Sequence, residues 1–165
     1  MSFALTFQTL NAQSKDKLFL SFSGELPTIN LSGNNFISQQ SNFSFGYTLP
    51  NNFELLLNIG AGVFGENSET KKYIYENTNL GIGADYLFPI NDRYKLGFEV
   101  ASSLAWTITN DIDNDHIIYQ GGIKLQESNS LFGILGVRYR SFIDNPNNSL
   151  ELFYGIGIRM DFKKK

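Results

Sequence analysis

The feature that most constrains this chain is a two-residue period in apolarity that recurs in about eight separate stretches. In residues 53–64, Phe53, Leu55, Leu57, Ile59, Ala61 and Val63 share one face, and Glu54, Leu56, Asn58, Gly60 and Gly62 share the other. Residues 78–88 set Leu80, Ile82, Ala84, Tyr86 and Phe88 against Asn79, Gly81, Gly83 and Asp85. Residues 94–108 set Tyr94, Leu96, Phe98, Val100, Leu104, Trp106 and Ile108 against Lys95, Gly97, Glu99, Ser103 and Thr107. Residues 150–162 do the same, with Leu56 and Phe153 as apolar exceptions on the polar faces. A strand turns successive side chains to opposite faces, whereas a helix returns apolar residues every three or four positions, so these stretches are predicted strands. Residues 17–25, 41–49, 117–126 and 131–142 carry the same pattern less cleanly. Each stretch approaches the roughly 9–11 residues with which a tilted strand crosses a bilayer.

The connections alternate in length. Pro50-Asn51-Asn52, Pro89-Ile90-Asn91-Asp92 and Glu127-Ser128-Asn129-Ser130 are tight, turn-forming clusters, whereas 26–40, 65–72, 109–116 and 143–149 are longer. An even number of strands then places both chain termini on the short-turn side, the arrangement of barrels with short periplasmic turns and long extracellular loops. Composition points the same way. Charged residues make up 18% of the chain, against about 25% in a typical globular protein. The mean hydropathy of -0.17 and the lack of an apolar run of ~18 residues argue against membrane-spanning helices. A net charge of -3 without a basic stripe argues against nucleic acid as a partner, and the absence of Cys excludes disulfides and thiolate metal sites.

Alternation defines two faces but does not say which is outside. The apolar face is bulky almost throughout, while its opposite is rich in Gly, Ser and Asn. Small residues suit the crowded interior of a narrow barrel, and a water-facing exterior would carry dense Lys and Glu. The bulky face is therefore expected outside, against lipid; a soluble barrel of the lipocalin type would reverse it. The small, polar face also carries Glu54, Asp85, Lys95, Glu99, Lys124, Arg138, Arg140, Glu151, Arg159 and Asp161. Their near balance of charge allows pairing in an interior where a lone charge is costly, so this set is expected to fill and brace the lumen. Tyr86, Phe88, Tyr94 and Phe162 near the short turns, and Tyr73 and Trp106 towards the longer loops, fit two interfacial girdles.

The final stretch resembles the C-terminal recognition strand of outer-membrane barrels, with Tyr154, Ile156, Ile158, Met160 and Phe162 alternating up to an aromatic. It departs from that pattern in the basic tail 163–165 that follows. Over residues 17–162 the architecture is similar to the small outer-membrane β-barrel (porin-like) domain family of Gram-negative bacteria. The resemblance implies an all-β, eight-stranded antiparallel up-and-down transmembrane β-barrel over 14–162 and a place in the outer membrane. It further implies contact with outer-membrane lipid and lipopolysaccharide and insertion by the barrel assembly machinery. Residues 1–13 resemble the end of a secretory signal peptide cut near Ala12, without its basic start.

Little in the sequence suggests catalysis. The single histidine, His116, follows Asp111, Asp113 and Asp115 and precedes Ile117 and Ile118, so an orienting carboxylate is near but no nucleophile is. Lipid A deacylase barrels carry a nearby His–Ser arrangement that this sequence lacks. Asp111-x-Asp113-x-Asp115 has the first spacing of a calcium loop, but His116 and Gly122 stand where the loop needs Gly and Glu. The expectation is a non-enzymatic barrel without cofactor or metal, in a structural role or meeting a host or other cell-surface ligand through its loops. The longest loop, 26–40, carries Asn30, Asn34, Asn35, Gln39 and Gln40. A narrow channel or transport accessory and a soluble ligand-binding barrel are the alternatives.

Overall fold

The alternating stretches pair in chain order and close on themselves. The computed structural model describes residues 17–32, 36–67, 72–108, 115–127, 130–143 and 148–162. Its strands are β1 (Lys17–Glu25), β2 (Ile29–Asn30), β3 (Phe36–Thr48), β4 (Phe53–Asn67), β5 (Lys72–Pro89), β6 (Tyr94–Thr107), β7 (His116–Glu127), β8 (Leu131–Phe142) and β9 (Ser149–Phe162). All are antiparallel, each long strand pairs with the next, and β1 pairs with β9 to seal an eight-stranded barrel. The register runs Leu20, Phe45, Leu57, Ile82, Ser102, Tyr119, Tyr139, Leu150. On closure, however, Leu20 faces Met160, ten residues beyond Leu150. That stagger tilts the strands by about 40° and leaves an interior that side chains fill.

The bulky face is outside. Leu55, Leu57, Ile82, Phe98, Val100, Ile123, Leu135 and Ile158 are all exposed. Glu54, Asn58, Asn79, Asp85, Lys124 and Arg138, one position out of phase, are buried. Tyr86, Phe88, Phe53 and Phe162 line the exterior near the short turns, with the Tyr86 and Phe88 rings 4.5 Å apart. Trp106 is exposed near the opposite end, while the side chain of Tyr73 lies outside the described residues, as do 1–13 and 163–165.

The short turns are built by their own side chains. Asn51 and Asn52 take positive φ of 72° and 62° after Pro50, a region that asparagine enters more readily than most L-residues. In the next turn the Asn91 side-chain oxygen accepts from the backbone N–H groups of Arg93 at 2.9 Å and Tyr94 at 2.8 Å, an Asx turn.

At the long-loop end the strands run further than the apolar pattern predicts. β3 begins at Phe36, inside the expected loop 26–40, because Phe36–Gln40 pair with Gly62–Glu66. Between β1 and β3 the chain also climbs along β9: Leu26 N–H donates to the Tyr154 carbonyl, and Leu31 N–H to that of Leu150. β2 lies between these contacts and pairs with Glu151 and Leu152. These rungs are backbone pairing without apolar alternation, which is why residue type did not reveal them.

Large residues that point inward are seated over glycine on neighbouring strands. Phe19 covers Gly46, Phe132 covers Gly157, and Leu87 lies against Gly97, each at a distance that leaves no room for a Cβ. Gly46→Leu is expected to cost about 1–3 kcal/mol by overpacking against Phe19. Gly121→Ala points outward and meets nothing closer than 3.8 Å, so it should stay within about 0.5 kcal/mol of the parent. The urea midpoint of the compact band on unheated SDS gels measures both.

Candidate functional site

All ten charged residues expected in the lumen occupy the inward side of the register, and the structure sorts most of them into three layers. Nearest the short turns, Arg159 on β9 is the hub. Its Nη1 donates to both Glu54 oxygens at 2.8 and 2.7 Å, its Nε to Asp161 Oδ1 at 2.7 Å, and its Nη2 to Thr48 Oγ1 at 3.2 Å. The guanidinium carbon lies 3.7 Å from the Phe19 ring centroid, so one planar face is covered while its edge donates to the carboxylates and Thr48. Lys95, half-buried, is on the inward side of β6 at this end.

The middle layer centres on Lys124. Its ammonium is 2.6 Å from Asp85 Oδ2, 3.7 Å from Glu99 Oε2 and 4.6 Å from the Phe132 ring centroid. Gln120 donates to Glu99 at 3.1 Å and accepts from Arg138 at 3.3 Å, linking this layer to the next.

Towards the long loops, Arg138 pairs with Glu25 and lies over Phe153, 4.6 Å from the ring centroid. Arg140 donates to Glu151 Oε1 at 2.8 Å, to Ser38 Oγ at 3.2 Å and to His116 Nε2 at 2.9 Å. Ser38 and Ser149 hydroxyls also donate to Glu151, at 2.6 and 2.9 Å. A guanidinium can only donate, so Nε2 of His116 accepts and the ring proton lies on Nδ1. Phe64 and Phe142 close around the imidazole, with ring centroids 5.1 and 4.9 Å away.

Two ionisable members of these layers, Glu25 and His116, are not among the ten expected from the sequence, and neither are Ser38 and Ser149. Glu25 and His116 are buried, and both stand at strand ends, Glu25 closing β1 and His116 opening β7. Ser21 and Ser23 place Glu25 on the inward side, and Gln120 and Lys124 do the same for His116. Asp115 is drawn to the backbone instead, accepting from Thr107 N–H at 3.1 Å. Asp111 and Asp113 lie outside the described residues. Among the described residues no group of three or more acidic or histidine side chains is arranged to hold a metal.

Between the layers, among the described residues, is a cavity of about 30 Å³ lined by Ser21, Gln40, Asn58, Asn79, Glu99 and neighbours. That is room for roughly two water molecules. In the outer wall, Tyr154, Ile156, Ile158, Met160 and Phe162 of β9 all point outward and are exposed. Glu127 at the end of β7 is held by Arg93.

No protein-family model matches the sequence, and no curated protein matches it. The structure does match solved ones. It matches the outer-membrane enzyme PagL with a TM-score of 0.57 and 14% identity, covering 86% of this chain and 98% of that one. It matches Neisserial surface protein A with a TM-score of 0.50 and 14% identity, over 87% and 96% of the two chains. It matches Ail of Yersinia pestis, solved in a phospholipid bilayer nanodisc, with a TM-score of 0.50 and 14% identity, over 88% and 100%. The fold is that of the small outer-membrane β-barrels. At such identities the likeness among these barrels is one of architecture.

Removing a partner from a buried ion pair leaves an uncompensated charge and costs about 3–5 kcal/mol. Glu151→Ala strands Arg140 and weakens the support of Arg138, so a loss of that order is expected in the urea midpoint of the folded barrel. Arg140→Met combined with Glu151→Leu removes both charges and should recover most of it. Arg93→Ala, which breaks an exposed pair, is expected to cost less than about 1 kcal/mol.

Proposed function

We propose that this protein is a non-enzymatic outer-membrane barrel that carries no solute through its interior and acts through its long-loop end, as a structural or surface-interaction protein. The observation that carries the reading is the contrast between the two faces. The exterior is a continuous apolar wall, while the interior is closed by three layers of paired charge around a cavity of about 30 Å³. Taking such a wall into water would expose large apolar area at roughly 25 cal/mol per Å², whereas lipid accepts it. The soluble alternative is disfavoured on the same ground.

In this reading the wall meets outer-membrane lipid and, at the long-loop end, lipopolysaccharide. The alternating outward residues of β9, Tyr154 to Phe162, serve as the strand that the barrel assembly machinery reads. Ligands on a host or another cell surface would be met by the long loops, since the interior has no space for them. PagL is an enzyme of the outer membrane, so the fold alone does not decide against catalysis. What argues against it here is that His116 faces inward, is fully buried, and has its Nε2 taken by Arg140.

Two measurements on detergent-refolded protein test this proposal. The folded chain is expected to migrate faster than the boiled chain on SDS gels, and to insert into planar bilayers without discrete conductance steps. Monodisperse folding in buffer without detergent would sink the membrane assignment, and reproducible single-channel steps would sink the closed interior in favour of the narrow channel.

A further inference from the structure

Outward side chains cover the wall at nearly every alternate position, but Gly24 and Gly133 break that cover on either side of one residue. Both pair with Ile156, Gly24 from β1 and Gly133 from β8. A Cβ on Gly24 would meet nothing within 4 Å, and one on Gly133 only the Gly155 carbonyl oxygen at 3.9 Å. Ile156 is in consequence 74% exposed, more than any other large apolar side chain among the described residues. The two gaps merge into an open groove of about 660 Å³, walled by Phe22, Ile158, Leu131 and Leu125. Its volume falls within the range of small-molecule sites, roughly 300–1,000 Å³.

The groove runs down to Tyr94 and Glu127 at the rim of the short turns. There, Arg93 Nε and Nη2 both bind Glu127 Oε1, at 2.8 and 2.7 Å, and the Arg93 guanidinium lies 5.3 Å from the Tyr94 ring centroid. An apolar trough thus ends in a cation and an anion side by side, where the wall meets water.

We propose that this groove binds one glycerophospholipid with a phosphoethanolamine headgroup, on the leaflet nearer the short turns; the proposal rests on the outer-membrane reading above. One acyl chain fills the gaps beside Ile156 and points towards the bilayer centre. The phosphate approaches Arg93, and the primary ammonium donates to Glu127. The headgroup's two charges lie a few ångströms apart, as do those of the Arg93–Glu127 pair, whose nitrogen and oxygen are 2.7 Å apart. A glycerol headgroup would bring the phosphate without a cation for Glu127. A choline headgroup would bring a cation that has no N–H to donate.

The test is native mass spectrometry of the refolded full chain with phosphatidylethanolamine, phosphatidylcholine or phosphatidylglycerol added in equal amounts. One phosphatidylethanolamine is expected to be retained about fivefold more than either of the others, a factor in the range that exposed ion-pair contacts supply. Gly24→Leu with Gly133→Leu fills the groove from outside and should abolish retention. Arg93→Ala with Glu127→Ala leaves the trough intact and should abolish only the headgroup preference, so it tests the site even if the first variant does not fold. Equal retention of all three lipids by the parent overturns the proposal, and so does undiminished retention by the folded groove-filling variant or an undiminished preference in the Arg93→Ala, Glu127→Ala variant. A dimer that the groove-filling variant dissolves would also overturn it, since the occupant would then be a second copy of the chain. The gel shift of the parent reads the outer-membrane assignment separately, so that assignment can stand when the lipid site fails.

Discussion

Eight residue pairs between β1 and β9 turn an eight-stranded sheet into a barrel, and the other features follow from that closure. A sheet with open edges cannot live in hydrocarbon, because each unpaired N–H and C=O there costs several kcal/mol. The ten-residue stagger at the seam fixes the strand tilt and so the bore. In so narrow a bore every inward position is contested. Phe19 can occupy the interior only because Gly46 is opposite its ring, and Phe132 only because of Gly157. The glycines of this chain are therefore complements of particular large side chains as much as weak points in strands.

The same bore dictates the electrostatics. Poorly hydrated charges must be compensated by neighbours at contact distance or they destabilise the fold. Arg138, Arg140, Arg159 and Lys124 each have a carboxylate partner and an aromatic ring within reach. The rings come from inward-facing Phe residues that break the apolar-out pattern. These apparent errors in alternation thus belong to the charge network: Phe19, Phe64, Phe132 and Phe153 present their faces to cations, and glycines on neighbouring strands make room for Phe19, Phe132 and Phe153.

The sequence was legible where lipid and lumen impose opposite demands on neighbouring residues, and the central parts of all eight long strands were read from that contrast. Beyond the apolar band the demand disappears. Ser38, Gln39 and Gln40 pair in β3 as regularly as Phe43 and Phe45 do, yet nothing in their residue types marks them as strand. β2 was invisible for the same reason, since two residues hold it through backbone contacts to β9. The ten lumen charges could be identified by phase, but their partners could not. Arg159 and Glu54 are 105 positions apart, and only the register around the barrel brings them together. Glu25, the last residue of the 17–25 stretch, and His116, one residue before 117–126, share the phase of the lumen residues on their strands.

A uniform apolar wall says only that the protein lives in lipid, so departures from uniformity carry the specific information. An outward glycine in a lipid-facing strand surrenders burial and backbone order without seating any inward neighbour, and Gly24 and Gly133 do this on both sides of the same isoleucine. Local rules that are broken with no structural compensation tend to mark functional positions. The interior differs: its buried Arg and Lys side chains each have a carboxylate and an inward Phe ring a few ångströms away. With the described lumen filled and its cations paired, the places left for recognition are the long loops and the stretch of wall where two gaps in the cover flank a single residue.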